Sequence, residues 1–265
     1  MQLGLLGHQI SYSLSPKIHL YSATKLGIEA SYELFDLNKS EVPAFLKSFW
    51  DCGGMGLNVT TPFKELVAHE IASPLASINT LYRGENSWIG ASTDGVGFSS
   101  AVEKMGVPLK EFREIICLGS GGVVLAILNF LNENTFSPQV HIFRRKASLD
   151  DKLRRQYAGS IKFYDFDPLL FRPLIEQSTP RTLVVQGTSA PLKGDLLEDF
   201  SQVLGPLKGS MVDLVYGKPS ALHGFAVSHQ IPTQDGLPML IEQARAAQNL
   251  WWGRAAPYAE IKELF

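Results

Sequence analysis

Cysteine is scarce in this chain: Cys52 and Cys117 are the only two in 265 residues. Two thiols that far apart do not make a disulfide framework, and a reducing cytoplasm is the expected setting. Net charge is nearly absent as well, with 24 basic residues against 26 acidic ones. That balance argues against a dedicated nucleic-acid binder, which needs a basic surface to neutralise phosphates. No run reaches the roughly 18 apolar residues of a membrane-spanning helix. The opening stretch MQLGLLGHQISYSLSP has neither the basic start nor the sustained apolar core of a signal peptide. Internal repeats, low-complexity tracts and linkers of disordered composition are missing too. What remains is ordinary globular composition, 45% hydrophobic and 19% charged, in a chain long enough for one large or two ordinary domains.

The pattern along the chain alternates strands and helices. Gln2–Gly7 is a short apolar run that suits a buried strand. Ser15-Pro16 predicts a helix start, with helix through Lys17–Leu26 and a stop at Gly27. Ser31–Leu37 and Gly56–Val59 read as strands around a helix at Val42–Trp50. Ile78–Leu81 and Ser87–Ile89 read as further short strands, followed by helix over Val96–Met105 and a domain hinge near Gly106. A second series opens with the strand Glu114–Leu118 and the apolar helix Val123–Leu131. Later strands are expected at Val140–Phe143, Leu183–Val185 and Met211–Val215, and a last helix at Met239–Trp252. Leu149–Arg181 is the least legible stretch. This rhythm implies an α/β protein of two domains, the first with a mainly parallel sheet.

Two constellations stand out. The first is Gly119-Ser120-Gly121-Gly122, placed between a strand and an apolar helix. That is the context of a dinucleotide fingerprint, whose glycines let backbone N–H groups approach a pyrophosphate. Val124 stands where the third glycine usually falls, and a purely structural turn fits the same residues. The next strand ends in Arg144-Arg145-Lys146, where an NAD site would carry an acid for the ribose hydroxyls. Three cations and no acid favour the 2′-phosphate of NADP, which guanidinium groups bind bidentately. The alternative is a solvated basic loop.

The second constellation lies in the first domain. Ser13 and Ser15 beside a helix N-terminus can hold a carboxylate, or can serve as a cap and a turn residue. In Asn58-Val59-Thr60-Thr61-Pro62-Phe63-Lys64 the lysine falls in a helix first turn, where the dipole disfavours a cation. It is either a surface lysine or one held for a nearby negative partner. Asn79 lies in an apolar setting and Asp94 precedes a glycine turn; a turn residue and a helix cap are their structural alternatives. No metal site is expected.

SLSPKIH, NVTTPFK, INTL, STDGVGF, GSGG, VDLVY and DGLPMLIEQA together, in this order over nearly the whole chain, resemble the shikimate dehydrogenase family. The resemblance implies an N-terminal α/β substrate domain, residues 1–98 with 237–265, and a Rossmann-like NADP-binding domain at 99–236. It implies an active site in the cleft between them. Ser13 and Ser15 would hold the substrate carboxylate, with Thr60 nearby, while Asn79, Asp94 and Gln243 bind ring hydroxyls. Lys64 would be the catalytic residue, paired with Asp94. Tyr216 would face the cleft on the substrate side, and Gly236 beside the cofactor. The implied reaction is the reversible NADP-dependent reduction of 3-dehydroshikimate to shikimate, by a monomer or homodimer.

Several positions depart from the family pattern. Ser92 replaces an asparagine, Val123 an alanine, and Gln186-Gly187-Thr188 an Asn-Ala-Thr segment. Pro238 replaces a glycine, and Gln248 an aromatic residue. Most of these lie on the cofactor side. They keep open a quinate/shikimate dehydrogenase using NAD, or a non-catalytic ligand-binding paralogue that retained the fold.

Overall fold

The structure, a computed structural model, describes all residues from Met1 to Phe265. The chain forms two compact units, Met1–Gly97 with Ile241–Phe265, and Phe98–Leu240. No helix is long and apolar enough to cross a membrane.

In the first unit the strands are β1 (Gln2–Gly7), β2 (Ser31–Asp36), β3 (Gly54–Val59), β4 (Thr80–Arg83) and β5 (Trp88–Ala91), and the helices α1 (Ser15–Lys25), α2 (Val42–Asp51) and α3 (Lys64–Glu70). The sheet order is β2-β1-β3-β4-β5. β1 runs parallel to β2 and β3, whereas the β3–β4 and β4–β5 pairs are antiparallel. The sheet is therefore mixed rather than mainly parallel. The connection from β4 to β5 is a short turn, and a parallel pairing there would need a crossover of a dozen residues or more. Under the sheet, Leu6, Leu57, Val59 and Leu81 meet Val42, Leu46, Phe49 and Val67 of the two helices α2 and α3 in one apolar core.

The mixed directions have a consequence for function. Leu6 pairs with Val59, Asn58 with Thr80, and Thr80 with Ala91. The ends of β1, β3 and β5 and the start of β4 thus share one edge of the sheet. Every chemically interesting loop of this unit leaves from that edge.

The second unit begins within α4 (Asp94–Glu103) and ends within α10 (Leu237–Trp252). Its strands are β6 (Glu114–Leu118), β7 (Gln139–Arg144), β8 (Ile161–Asp165), β9 (Thr182–Gln186), β10 (Ser210–Asp213) and β11 (Thr233–Gln234). Between them run α5 (Gly122–Glu133), α6 (Asp150–Gln156), α7 (Pro168–Glu176), α8 (Glu198–Ser201) and α9 (Ala221–Ser228); α11 (Tyr258–Lys262) closes the chain in the first unit. The order β11-β10-β9-β6-β7-β8 is parallel throughout. Period-two alternation sends Ile115, Cys117, Leu183 and Val185 to one core and Ile116, Leu118 and Val184 to the other. With helices on both faces, these strands read as continuous apolar runs.

Boundaries differ from the pattern-based reading in instructive places. The α1 helix starts at Ser15, with Leu14 rather than Ser15 as its N-cap. Strand β10 stops at Asp213 rather than Val215, because the Asp213 carboxylate accepts from Val215 N at 3.0 Å and from Ser220 N at 2.6 Å and turns the chain out of the sheet.

Candidate active site

Lys64 opens α3 and Asp94 opens α4, each at the functional edge of the first sheet. Their side chains meet, Lys64 Nζ to Asp94 Oδ2 at 2.5 Å, with 19% and 12% of their surfaces exposed. Asn79 comes from the residue preceding β4, and its backbone is fixed on both sides: Val59 N donates to its carbonyl at 2.8 Å and its own N–H donates to Ala91 O at 3.1 Å. Its side chain donates from Nδ2 to Asp94 Oδ1 at 2.8 Å and to Gln243 Oε1 at 3.3 Å. Its Oδ1 accepts from Thr93 N at 2.7 Å. Lys64, Asp94, Asn79 and Gln243 therefore form one connected polar cluster.

Gln243 reaches this cluster because of Gly97. A Cβ on Gly97 would lie 2.7 Å from Gln243 Cβ and 2.8 Å from Gln243 N, so only glycine lets α4 pass this close to α10. The second glycine of the DGVG run is thus a packing residue that sets where an amide stands.

Ser13 is half-buried, and its Oγ accepts from Ser15 N at 3.2 Å; Ser15 is buried at the start of α1. Thr60 follows β3, half-buried, with its N–H donating to Leu6 O at 2.9 Å. All three leave from the same sheet edge as the Lys64 cluster.

Four buried residues had escaped the sequence reading. Tyr32 donates from its hydroxyl to Asn58 Oδ1 at 2.7 Å, and Asn58 Nδ2 donates to Thr80 Oγ1 at 3.3 Å. Thr80 in turn donates to Asn79 Oδ1 at 3.3 Å, and Thr93 bonds Asn79. Burial pushes the Tyr32 hydroxyl well above the ordinary tyrosine range. The available signal was Asn58, a polar residue between the apolar Leu57 and Val59 of β3; Tyr32, Thr80 and Thr93 each stand beside polar residues in the sequence and carried none.

In the second unit, Gly119 follows β6 at φ +113, a backbone conformation that only glycine adopts readily, and a Cβ there would meet Thr188 Cγ2 at 2.9 Å. Ser120 is half-buried, while Gly121 and Gly122 are exposed with nothing within 4 Å of where a Cβ would stand. Gly121 caps α5 without a side-chain hydrogen bond, so the helix N-terminus presents bare amides. Val124, in the place of a third glycine, is fully buried. A Cβ on Gly187 would come 3.1 Å from Val124 Cγ2, so the glycine lost at one position is matched by one gained at the other.

The triplet at the end of β7 is less positive than it reads. Arg144 Nη2 bonds Asp150 Oδ2 at 3.0 Å, Arg144 Nε bonds both Asp150 oxygens at 3.1 Å, and Arg144 Nη1 bonds Asp165 Oδ1 at 2.8 Å. The Asp150 carboxylate first, then Asp165, hold this guanidinium further into its charged form. The reading "three cations and no acid" is corrected here: the acids come from the start of α6 and the end of β8, in the stretch whose structure the sequence hid. Arg145 is exposed and pairs with Asp195 at 2.6 Å, and Lys146 is exposed.

Tyr216 is half-buried in the loop after β10. Gly236 is buried and pressed onto that same loop: a Cβ would lie 2.3 Å from Leu214 O, and its N–H donates to Val215 O at 3.2 Å. The loop holding Gly236 follows β11, three strands from β6 in the sheet order, so Gly236 is brought to the Tyr216 loop rather than to the glycine turn.

A glycine turn opening a helix on an all-parallel sheet, in one chain with a largely buried lysine–carboxylate pair, marks a two-unit α/β enzyme of the oxidoreductase class. The sequence profile of the shikimate dehydrogenase substrate binding domain matches residues 5–78. The NADP(+)-dependent shikimate dehydrogenase of Acinetobacter baylyi is 32% identical over 258 residues, 95% of each chain. The chain belongs to the shikimate dehydrogenase family. The shikimate 5-dehydrogenase of Thermus thermophilus, solved in complex with NADP(H) and shikimate, is 27% identical with a TM-score of 0.81, covering 99% of this chain and 97% of that one. The Listeria monocytogenes shikimate 5-dehydrogenase, at 24% identity and a TM-score of 0.85, covers 99% of this chain and 95% of its own and shares the fold.

Proposed function

We propose that this chain catalyses the reversible, NADP-dependent reduction of 3-dehydroshikimate to shikimate. The observation that carries the reading is the Lys64–Asp94 contact at one sheet edge, braced by Asn79 and, from α10, by Gln243. The unit of Met1–Gly97 and Ile241–Phe265 takes the substrate and that of Phe98–Leu240 the cofactor.

The residues around the glycine turn fit a dinucleotide. Gly121 and Gly122 leave their backbone open, the α5 N-terminus offers uncapped amides for a pyrophosphate, and Arg145 and Lys146 stand exposed where a 2′-phosphate would need cations. Gly119 and Ser120 shape the approach. Arg144, tied to two carboxylates, shapes the strand end instead of contacting phosphate. When bound, NADPH supplies the hydride for the ketone carbon.

The chain's own residues supply the rest. The Lys64 ammonium stabilises the negative charge that grows on the carbonyl oxygen and passes it a proton. Asp94 holds that ammonium in place with Oδ2 and, with Asn79 and Gln243, receives ring hydroxyls. Ser13 and Ser15 bind the carboxylate beside the α1 N-terminus, and Thr60, following β3, also contacts the substrate. Tyr216, on the loop that Gly236 shapes, is assigned to the substrate by its match to the family motif alone. Two unpaired thiols, exposed Cys52 and buried Cys117, suit a reducing cytoplasm.

The acids around Arg144 and Arg145 favour a second reading in which NAD is also used. Purified protein incubated with shikimate or quinate, each with NADP or NAD, decides both questions by the absorbance of reduced nicotinamide. Activity is expected with shikimate and NADP, and no signal with any pair removes the dehydrogenase reading. Lys64→Ala is expected to lower kcat by about 10²–10⁴-fold with the dissociation constant of shikimate little changed. Wild-type turnover in that variant excludes Lys64 as the proton donor.

A further inference from the structure

The Arg145–Asp195 ion pair joins two loops that the sheet order sets on opposite sides of the glycine turn. Arg145 follows β7 and Asp195 lies in the segment after β9, and β7 and β9 are the two neighbours of β6, whose end carries Gly119–Gly122. The contact is 2.6 Å from Arg145 Nη2 to Asp195 Oδ2, between side chains 60% and 50% exposed. The guanidinium also stands 5.0 Å from the centroid of the Phe166 ring, in the loop after β8. Asp195 is itself anchored: its Oδ1 accepts from Leu197 N at 3.2 Å and its N–H donates to Ala190 O at 3.1 Å. A carboxylate fixed by its own loop is therefore aimed at the exposed arginine beside the glycine turn.

A 2′-phosphate carries the same sign of charge as that carboxylate. To reach Arg145 it must displace Asp195 or sit beside it, and either route costs binding free energy. A dinucleotide without the 2′-phosphate meets no such cost. Resting on the cofactor reading above, we infer that Asp195 is a specificity-determining residue that restrains the preference for 2′-phosphorylated nucleotides, and that its charge sets how far NADP is favoured over NAD. Arg144 cannot take over the role, because Asp150 and Asp165 already neutralise it. Lys146 remains as the second cation for the phosphate.

The prediction is a gain of affinity, which damage to the fold does not produce. Asp195→Asn removes the charge and keeps the Oδ1 acceptor for Leu197 N. Calorimetric titration of the full chain is the readout, with NADP+, NAD+, 2′,5′-ADP and 5′-AMP as the four ligands, in low salt. An exposed ion pair contributes about 0.2–1 kcal/mol, so D195N is expected to tighten NADP+ and 2′,5′-ADP by roughly 1.4- to five-fold and to leave NAD+ and 5′-AMP unchanged. The difference shrinks at about 0.5 M salt, where charges a few ångströms apart at the surface are screened. Arg145→Gln is expected to weaken the two 2′-phosphorylated ligands and spare the others.

Unchanged or weaker 2′,5′-ADP binding in D195N overturns the inference, as does an equal shift for 5′-AMP. If R145Q weakens 2′,5′-ADP while D195N has no effect, Arg145 holds the phosphate and Asp195 does not restrain it. If R145Q also has no effect, both assignments fall. Turnover of shikimate stands apart from these titrations: its absence in the wild-type protein removes the dehydrogenase reading, while 2′,5′-ADP binding still decides the role of Asp195.

Discussion

Replacing His19 by phenylalanine should change how the first unit responds to acid, and the size of the change follows from the burial of one ring. His19 lies on α1, 1% exposed, stacked on Tyr32 with centroids 4.6 Å apart. Gln248 Nε2 donates to its Nδ1 at 3.4 Å, and its Nε2 has no partner. Gln248 is itself held in that orientation, donating to Ser22 Oγ at 3.0 Å and accepting from Ala256 N at 3.3 Å. A second proton on the ring would face an amide N–H in a dry site. Burial accordingly lowers the His19 pKa to about 3. An unfolded histidine takes up its proton near pH 6.5. The folded value is depressed, so His19 imposes no penalty above pH 6.5, and one that grows as pH falls from there towards about 3, where the folded state also protonates. Between pH 7 and pH 5 the loss is about 2 kcal/mol at about 1.4 kcal/mol per pH unit. His19→Phe removes this linkage and keeps the stacking, at the cost of one long hydrogen bond, about 1 kcal/mol or less. The wild type is then more stable by about 1 kcal/mol at pH 7 and less stable by about the same at pH 5, with the curves crossing near about pH 6. All four tryptophans, Trp50, Trp88, Trp251 and Trp252, lie in the first unit, so urea unfolding followed by tryptophan fluorescence reports on that unit. Stability differences that stay constant from pH 5 to pH 8 would refute a neutral, desolvated His19.

Asn79→Ala strips a donor from Asp94 and leaves the buried Thr93 N–H unpaired, which should lower stability by about 1–3 kcal/mol and shikimate kcat/KM by about 10–10²-fold; steady-state kinetics within threefold of wild type would show that Asn79 does not order the site. Gly97→Ala forces α4 from α10 at the 2.7 Å approach to Gln243 Cβ. It should lower the urea stability of the first unit by about 1–3 kcal/mol and raise the KM for shikimate, with NADP+ binding by calorimetry unchanged; an unaltered KM would remove Gln243 from substrate binding.

How much of this was legible before folding depended on which force fixed each feature. Strands β6 and β9 lie inside a sheet covered on both faces, so burial alone marks them, and their apolar runs were plain. Strand β8 is an edge strand whose KFYD stretch is half-exposed, and α7 exposes Leu169 and Leu170 while carrying Pro173 in its interior. Hydrophobic period carries little there, and Leu149–Arg181 stayed opaque. That opacity reached the candidate site. Asp150 and Asp165 lie in this stretch; Asp150 meets Arg144 from the start of α6, and Asp165 through the register of β7 against β8, in which Arg144 faces Asp165. Charge counts along the chain do not contain that register. The lysine, the aspartate and the asparagine were visible as residue types in unusual places. Their mutual contact depends on the antiparallel pairing of β4 with β3 and β5, and the approach of Gln243 to them on the missing side chain of Gly97, which are facts of packing.

The ends of two helices explain why the Lys64–Asp94 pair separates chemistry from folding. Asp94 sits at the N-terminus of α4, where the helix dipole favours a carboxylate, and Asn79 donates to its other oxygen at 2.8 Å. Asp94 therefore keeps favourable partners when Lys64 gives up its proton or is deleted. Lys64 has no such reserve: it stands at the N-terminus of α3, where the dipole opposes a cation by about 0.3–1 kcal/mol, and Asp94 is the carboxylate that compensates it. Truncating the two members should have unequal effects on stability. Lys64→Ala relieves the dipole conflict and leaves a satisfied carboxylate, so its urea midpoint should move by less than the equivalent of about 1 kcal/mol. Asp94→Ala strands a largely buried ammonium against the positive end of a helix and should cost up to about 3 kcal/mol. Equal losses in the two variants, by tryptophan fluorescence at pH 7, would mean that the pair is held by its mutual attraction alone and that the helix ends play no part.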